Sequence, residues 1–197
     1  MKKIITAISA ILLASMLCGC ADDEVFSSAG KPEISVTESS SADETTSHVP
    51  TKWTPVEVAD DDISCEGLVL TALNAGSFPE MVKATDSTVL DTIMDFSKYG
   101  ITDYCVYQQA ISVELSEVIA VRADDADGVY DALMARKTSL IKQFATYPEQ
   151  AENANQTVVF KKGDLCVLIA SSNSTAELKA VINKLKANAE TSSVSES

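Results

Sequence analysis

Five cysteines and a single histidine are the side chains of this chain best suited to carry out chemistry. Cys18 and Cys20 stand two positions apart in "SMLCGCADDE", at the end of the first apolar run. A Cys-x-Cys pair can hold a metal when further ligands follow closely, and none follow here. A thiol redox pair is normally Cys-x-x-Cys beside a folded domain. The third option is attachment of a lipid to one thiol. Cys105 in "YCVY" and Cys166 in "LCVLIA" sit between apolar residues and read as small core side chains. A disulfide among Cys65, Cys105 and Cys166 would leave one of them unpaired. His48 is the sole histidine, so no Cys–His or Ser–His nucleophile, and no zinc site using histidine, can form after it. "ADDADGVY" at 123–130 offers Asp125, Asp127 and Gly128 of a calcium loop. Ala123 and Met134 fall where the first and twelfth ligands would stand, so the aspartates read as helix caps. Arg136, one turn after Leu133, and Tyr147 are candidates for either a ligand contact or a structural ion pair. The sequence assigns no catalytic residue and no metal ligand.

The position of Cys20 decides among the three options. Lys2 and Lys3 precede "IITAISAILLASML", 14 uncharged residues from Ile4 to Leu17. A spanning helix needs about 20 apolar residues, so this run has the length of a signal-peptide core. Leu17, Cys18, Gly19 and Cys20 then resemble the bacterial lipobox. That resemblance implies cleavage between Gly19 and Cys20 and a covalent diacylglycerol on the Cys20 thiol. Two acyl chains give stable anchoring where one gives only marginal binding. The expectation is a protein on the outer face of the cytoplasmic membrane, held to the lipid bilayer through Cys20, with no other cofactor.

From residue 20 to residue 62 the composition suits a disordered tether. Between Ala21 and Asp62, 12 residues are Ser or Thr and 11 are Asp or Glu, against two Lys. Such a stretch cannot bury enough apolar area to offset the entropy of ordering it. Its one tryptophan, Trp53, lies between Pro50 and Pro55 and either docks on the domain or forms an exposed docking peptide. The whole chain carries a net charge of −14, and loss of Lys2 and Lys3 with residues 1–19 leaves −16. That charge repels phosphate backbones, so nucleic acid is not an expected partner.

Residues 63–188 become apolar and periodic and form the expected globular domain, with 189–197 as a disordered tail. "ISCEGLVLTALNAG" suits a first helix. "DSTVLDTIMDFSKYG" suits a second, capped by Asp86, with Val89, Leu90, Ile93, Met94 and Phe96 on its apolar stripe. "DYCVYQQAISV" and "LSEVIAVRA" read as antiparallel strands. Asp124 or Asp125 starts the longest helix, with Val129, Leu133, Leu140 and Phe144 at helical spacing and Pro148 as its end. "QTVVFKKGDLCVLIASS" reads as a hairpin turning at Lys162-Gly163-Asp164. "STAELKAVINKLKAN" is the last helix, with Ser174 and Glu177 as a capping box. Paired strands followed by helices predict an α+β fold: a four-stranded, mainly antiparallel sheet with helices packed on one face.

The order of these elements resembles an uncharacterised family of clostridial, Gram-positive lipoproteins, known as domain of unknown function 4358. The residues that carry the likeness are "YGI" at 99–101, "SEVIAVRADDADGVYDALMARKTSLIKQFATYPEQAENA" at 116–154 and "VVFKKGDLCVLIAS" at 158–171. The resemblance spans roughly 60–190 and implies an anchor, a tether and this architecture, but no activity. Two functions follow as expectations. One is a non-catalytic binding or interaction module of the cell envelope, with an envelope protein or a small ligand as partner. The alternative is a small cell-envelope enzyme using carboxylates or a Ser–Lys pair.

Overall fold

All six residues of Leu165–Ala170 are buried, as are six of the seven in Glu117–Ala123. Neither run alternates apolar with polar residues, which is the pattern of strands covered on both faces. In the computed structural model these two strands are the antiparallel centre of a five-stranded sheet. The structure describes residues 52–85, 87–95, 97–110 and 114–194. Residues 1–51, which hold the expected signal segment, Gly19, Cys20 and most of the expected tether, lie outside these, as do Asp86, Phe96, residues 111–113 and the last three residues.

In chain order the elements are α1 (Cys65–Ala75), β1 (Met81–Lys83), α2 (Thr88–Ile93), β2 (Ile101–Gln109) and β3 (Glu117–Ala123). There follow α3 (Ala126–Phe144), α4 (Pro148–Gln156), β4 (Val158–Lys162), β5 (Leu165–Ala170) and α5 (Ser174–Val194). The sheet order is β1-β2-β3-β5-β4, antiparallel throughout. The fold is thus α+β, with one strand more than the four expected. The fifth strand is β1, whose three residues pair Met81 with Gln109 and Lys83 with Tyr107. So short a strand has no period of its own and exists only because the edge of β2 is there to pair with.

Helices cover both faces of the sheet, where one was expected. Val118, Ala120, Val167 and Ile169 pack with Leu68, Ala72 and Leu73 of α1 and Val181 and Leu185 of α5. Ile119, Val121, Cys166 and Leu168 pack with Leu90 of α2, with Val129, Leu133 and Leu140 of α3 and with Ala154 of α4. The sheet is therefore the middle of three layers. A strand–strand–helix unit occurs twice, as β2-β3-α3 and β4-β5-α5, and its two helices lie on opposite faces. No helix among the described residues is long and apolar enough to cross a membrane.

Local chemistry sets the helix ends. The Ser64 hydroxyl accepts from the Gly67 amide at 3.1 Å and caps α1. The Asp125 carboxylate does the same for α3, accepting from the Gly128 amide at 2.9 Å. Pro148 does not stop the long helix, which already ends at Phe144; it opens α4 as its first residue, where a missing N–H costs nothing. Helix α5 continues to Val194, past the Asn188 end suggested by its apolar pattern. Gly163, at φ 60°, supplies the left-handed backbone of the β4–β5 turn.

Candidate functional site

Residues 52–62, placed by composition at the end of the tether, run as an irregular strap over the face of the sheet that carries α1 and α5. The Trp53 amide donates to the Phe78 carbonyl at 3.1 Å. Its ring meets Tyr107 edge-on at 5.6 Å, and its indole N–H donates to the side-chain oxygen Oδ1 of Asn74 at 3.3 Å. Farther along, Asn74 treats Val56 as one peptide group treats another. Its Oδ1 accepts from the Val56 amide at 3.1 Å, and its Nδ2 donates to the Val56 carbonyl at 2.6 Å. Lys184 Nζ donates to the Ala59 carbonyl at 2.6 Å, and Asn188 Nδ2 to the Asp61 carbonyl at 3.2 Å. The strap turns into α1 at Asp62, whose carboxylate accepts from the Ser64 amide and hydroxyl at 3.0 and 2.6 Å. Those bonds, the one from the Ser64 side chain above all, hold its pKa below the usual carboxylate value.

Between the strap and the two helices lies a cleft of about 820 Å³. Asp60 and Asp61 come to it from the strap, Thr71 and Asn74 from α1, and Asn183 and Lys184 from α5. Neutral amides that both donate and accept are set beside carboxylates and one ammonium group. Such a lining orients a polar ligand by hydrogen bonds, as binding clefts do with a few convergent polar groups. The alternation of these residues with apolar ones at helical spacing marks the helices and nothing more, so the cleft leaves no motif in the sequence.

Of the residues singled out by sequence, Trp53 docks on the domain beside this cleft, whereas Arg136, Tyr147 and the three domain cysteines lie elsewhere and do not converge. Arg136 donates from Nε and Nη2 to the two carboxylate oxygens of Glu117, at 3.0 and 2.6 Å. Gln108 Nε2 adds a third donor to Glu117 at 3.2 Å. The bonds to Glu117 hold the Arg136 guanidinium even above its ordinary pKa. Tyr147 is 56% exposed, packs edge-on against Phe144 and rims a shallow dent with Pro148, Glu149 and Gln150. The three domain cysteines are free thiols in the core. Cys65 and Cys105 belong to the α1–α5 side of the sheet and Cys166 to the other. Burial pushes all three thiols up, Cys105 to about 12 and Cys166 to about 11.

A second buried carboxyl, Glu177, lies at the start of α5. The Ser171 hydroxyl donates to one of its oxygens, while the other is buried with no hydrogen-bond partner among the described residues. Its expected capping partner, Ser174, bonds instead to the Ser171 backbone, accepting from the amide at 3.0 Å and donating to the carbonyl at 3.2 Å. Glu117 and Glu177 serve different faces of the sheet, so the two buried carboxyls do not share a pocket. Among the described residues no group of three or more His, Cys, Asp or Glu is placed to hold a metal ion.

Residues 74–172, half of the chain, match the family described as Domain of unknown function (DUF4358). No curated protein and no solved structure matches.

Proposed function

We propose that this chain, which belongs to the domain-of-unknown-function family DUF4358, is a lipid-anchored binding module of the cell envelope. Family membership carries no activity with it, and function has to be argued from a site. The observation that carries this reading is the cleft between α1 and α5, with its convergent Asn74, Asn183 and Lys184. The anchor half of the proposal rests on Leu17, Cys18, Gly19 and Cys20 behind a short apolar run. Cleavage before Cys20 and a diacylglycerol on its thiol would hold the protein on the outer face of the membrane. The acidic Ser/Thr-rich stretch would then be the spacer, and it leads directly into the strap that forms one wall of the cleft.

Each half has its own test. Intact mass and membrane fractionation of the native protein beside Cys20→Ser check the anchor. The expected result is a wild type cut before Cys20, lipidated and membrane-bound, and a variant that is not lipidated. An unlipidated, soluble wild type would overturn it. Hydrogen exchange of the full chain with and without cell-envelope extract checks the cleft. Protection of α1 and α5, lost in Asn183→Ala, is expected. Protection elsewhere, or none, counts against the cleft.

A further inference from the structure

Between Thr54 and Asp61, α1 and α5 hold the strap by hydrogen bonds to its main chain. Asn74 takes both the N–H and the C=O of Val56, Lys184 takes the Ala59 carbonyl and Asn188 the Asp61 carbonyl. The side chains of this stretch are mostly turned to solvent; Val56 is 46% exposed. Main-chain bonds give affinity to any extended sequence, and side-chain pockets give the choice among sequences. Here the domain grips the Trp53 side chain, held by Tyr107 and Asn74 three residues before the paired Val56.

We propose that the strap is a resident ligand of its own domain, and that the α1–α5 groove accepts in its place an extended peptide of a partner protein. That peptide carries an aromatic anchor, with a free N–H and C=O three residues after it and carbonyls for Lys184 and Asn188 beyond. This deepens the cleft assignment and rests on it. The strap is joined to α1 through Ser64, so it competes from within the molecule. A short flexible connection gives an effective concentration in the mM range, which a partner peptide has to overcome. The groove is therefore closed to weak ligands and opens to those with a stronger anchor or a longer run of main-chain contacts.

The test uses the full-length chain and a synthetic peptide of sequence "TKWTPVEVADD", residues 51–61, with a fluorophore at its N-terminus. Binding is read by fluorescence anisotropy to wild type, to Trp53→Ala and to Val56→Pro. The first substitution removes the anchor. The second removes the amide that Asn74 accepts from, at an exposed position, and keeps Trp53 as a fluorescent reporter of strap release. Both strap variants are expected to bind at least about tenfold tighter than wild type, because the internal competitor is weakened. Adding Asn74→Ala to either removes the gain. In the peptide, N-methylation at the position of Val56 abolishes binding and replacement of that valine by alanine does not.

Equal binding to wild type and both strap variants, binding indifferent to Asn74→Ala, or no binding at all would overturn the proposal. Binding of two copies of the chain to each other, seen as a dimer only in the strap variants and abolished by Asn74→Ala, would assign the groove to a second copy and overturn the partner peptide. Failure of the peptide with envelope-induced protection of α1 and α5 intact refutes the peptide alone. Loss of both refutes the cleft itself.

Discussion

Arg136 on α3 reaches Glu117 at the first position of β3 with two parallel hydrogen bonds, and ties the middle of that helix to the centre of the sheet. The Glu117 side chain is 3% exposed and that of Arg136 23%, so the carboxylate has no water to fall back on. Arg136→Ala leaves a buried charge without its partner and is expected to cost roughly 3 kcal/mol. The paired replacement Arg136→Met with Glu117→Leu removes both charges and costs less than the single change. Urea denaturation of the three proteins checks this; a double variant no better than Arg136→Ala would refute it.

Glu177 makes stability fall as pH rises. Burial lifts its pKa above the ordinary 4.5, with the Ser171 hydrogen bond working against the rise. The folded chain thus keeps this proton to a higher pH than the unfolded chain. The stability it contributes is complete below the unfolded pKa and is lost as pH climbs through the folded one. Glu177→Gln cannot ionise and lacks that decline. Denaturation at about pH 5 and about pH 8 is expected to show a smaller drop for the variant than for wild type. Equal drops would mean that the carboxyl is already charged in the fold.

The thiols should be silent until the chain unfolds. Cys65, Cys105 and Cys166 are buried, and burial disfavours the reactive thiolate in each. Iodoacetamide at about pH 8 is expected to leave all three unmodified in the native protein and to modify all three in denaturant. Peptide mapping by mass spectrometry reads the result, and rapid native labelling of Cys166 would show that the α3 side of the sheet opens.

Two glycines with nearly the same backbone should differ in what they tolerate. Gly100 has φ 62° and Gly163 φ 60°. A Cβ on Gly163 meets nothing within 4 Å, so Gly163→Ala carries only the left-handed strain, about 1 kcal/mol. A Cβ on Gly100 would stand 2.8 Å from the Asp124 carboxylate and 3.1 Å from its Cβ. Gly100→Ala is therefore expected to cost more, and a thermal melt of the two variants ranks them. The reverse order would mean that the Asp124 side chain moves aside freely.

What the sequence makes legible is whatever depends on neighbours along the chain. The apolar spacing of Val129, Leu133, Leu140 and Phe144 marks α3, and all four are buried. The turn at Gly163 and Asp164 between two apolar runs marks the β4–β5 hairpin. Elements that depend on a distant partner leave less trace. Strand β1 is three residues completed by β2, and α4 is a polar helix with Ala154 as its buried residue. The covering of both faces is written in the unbroken apolar run "LCVLIA", which an alternating one-sided strand would not have. The cleft is the least legible feature, because Asn74 owes its role to the main chain of Val56, 18 residues earlier.

The order of the sheet also bears on what happens when many copies stand close together. "LCVLIA" is uncharged, β-prone and six residues long, the kind of segment that stacks into fibrils when freed. It lies inside the sheet, between β3 and β4, and Asp164 stands directly before it. The outer strands offer little for another chain to extend: β1 has three residues, and β4 ends in Lys161 and Lys162. The same lysines that look unremarkable in a monomer act as gatekeepers, so self-association through the sheet has to wait for β4 to peel away.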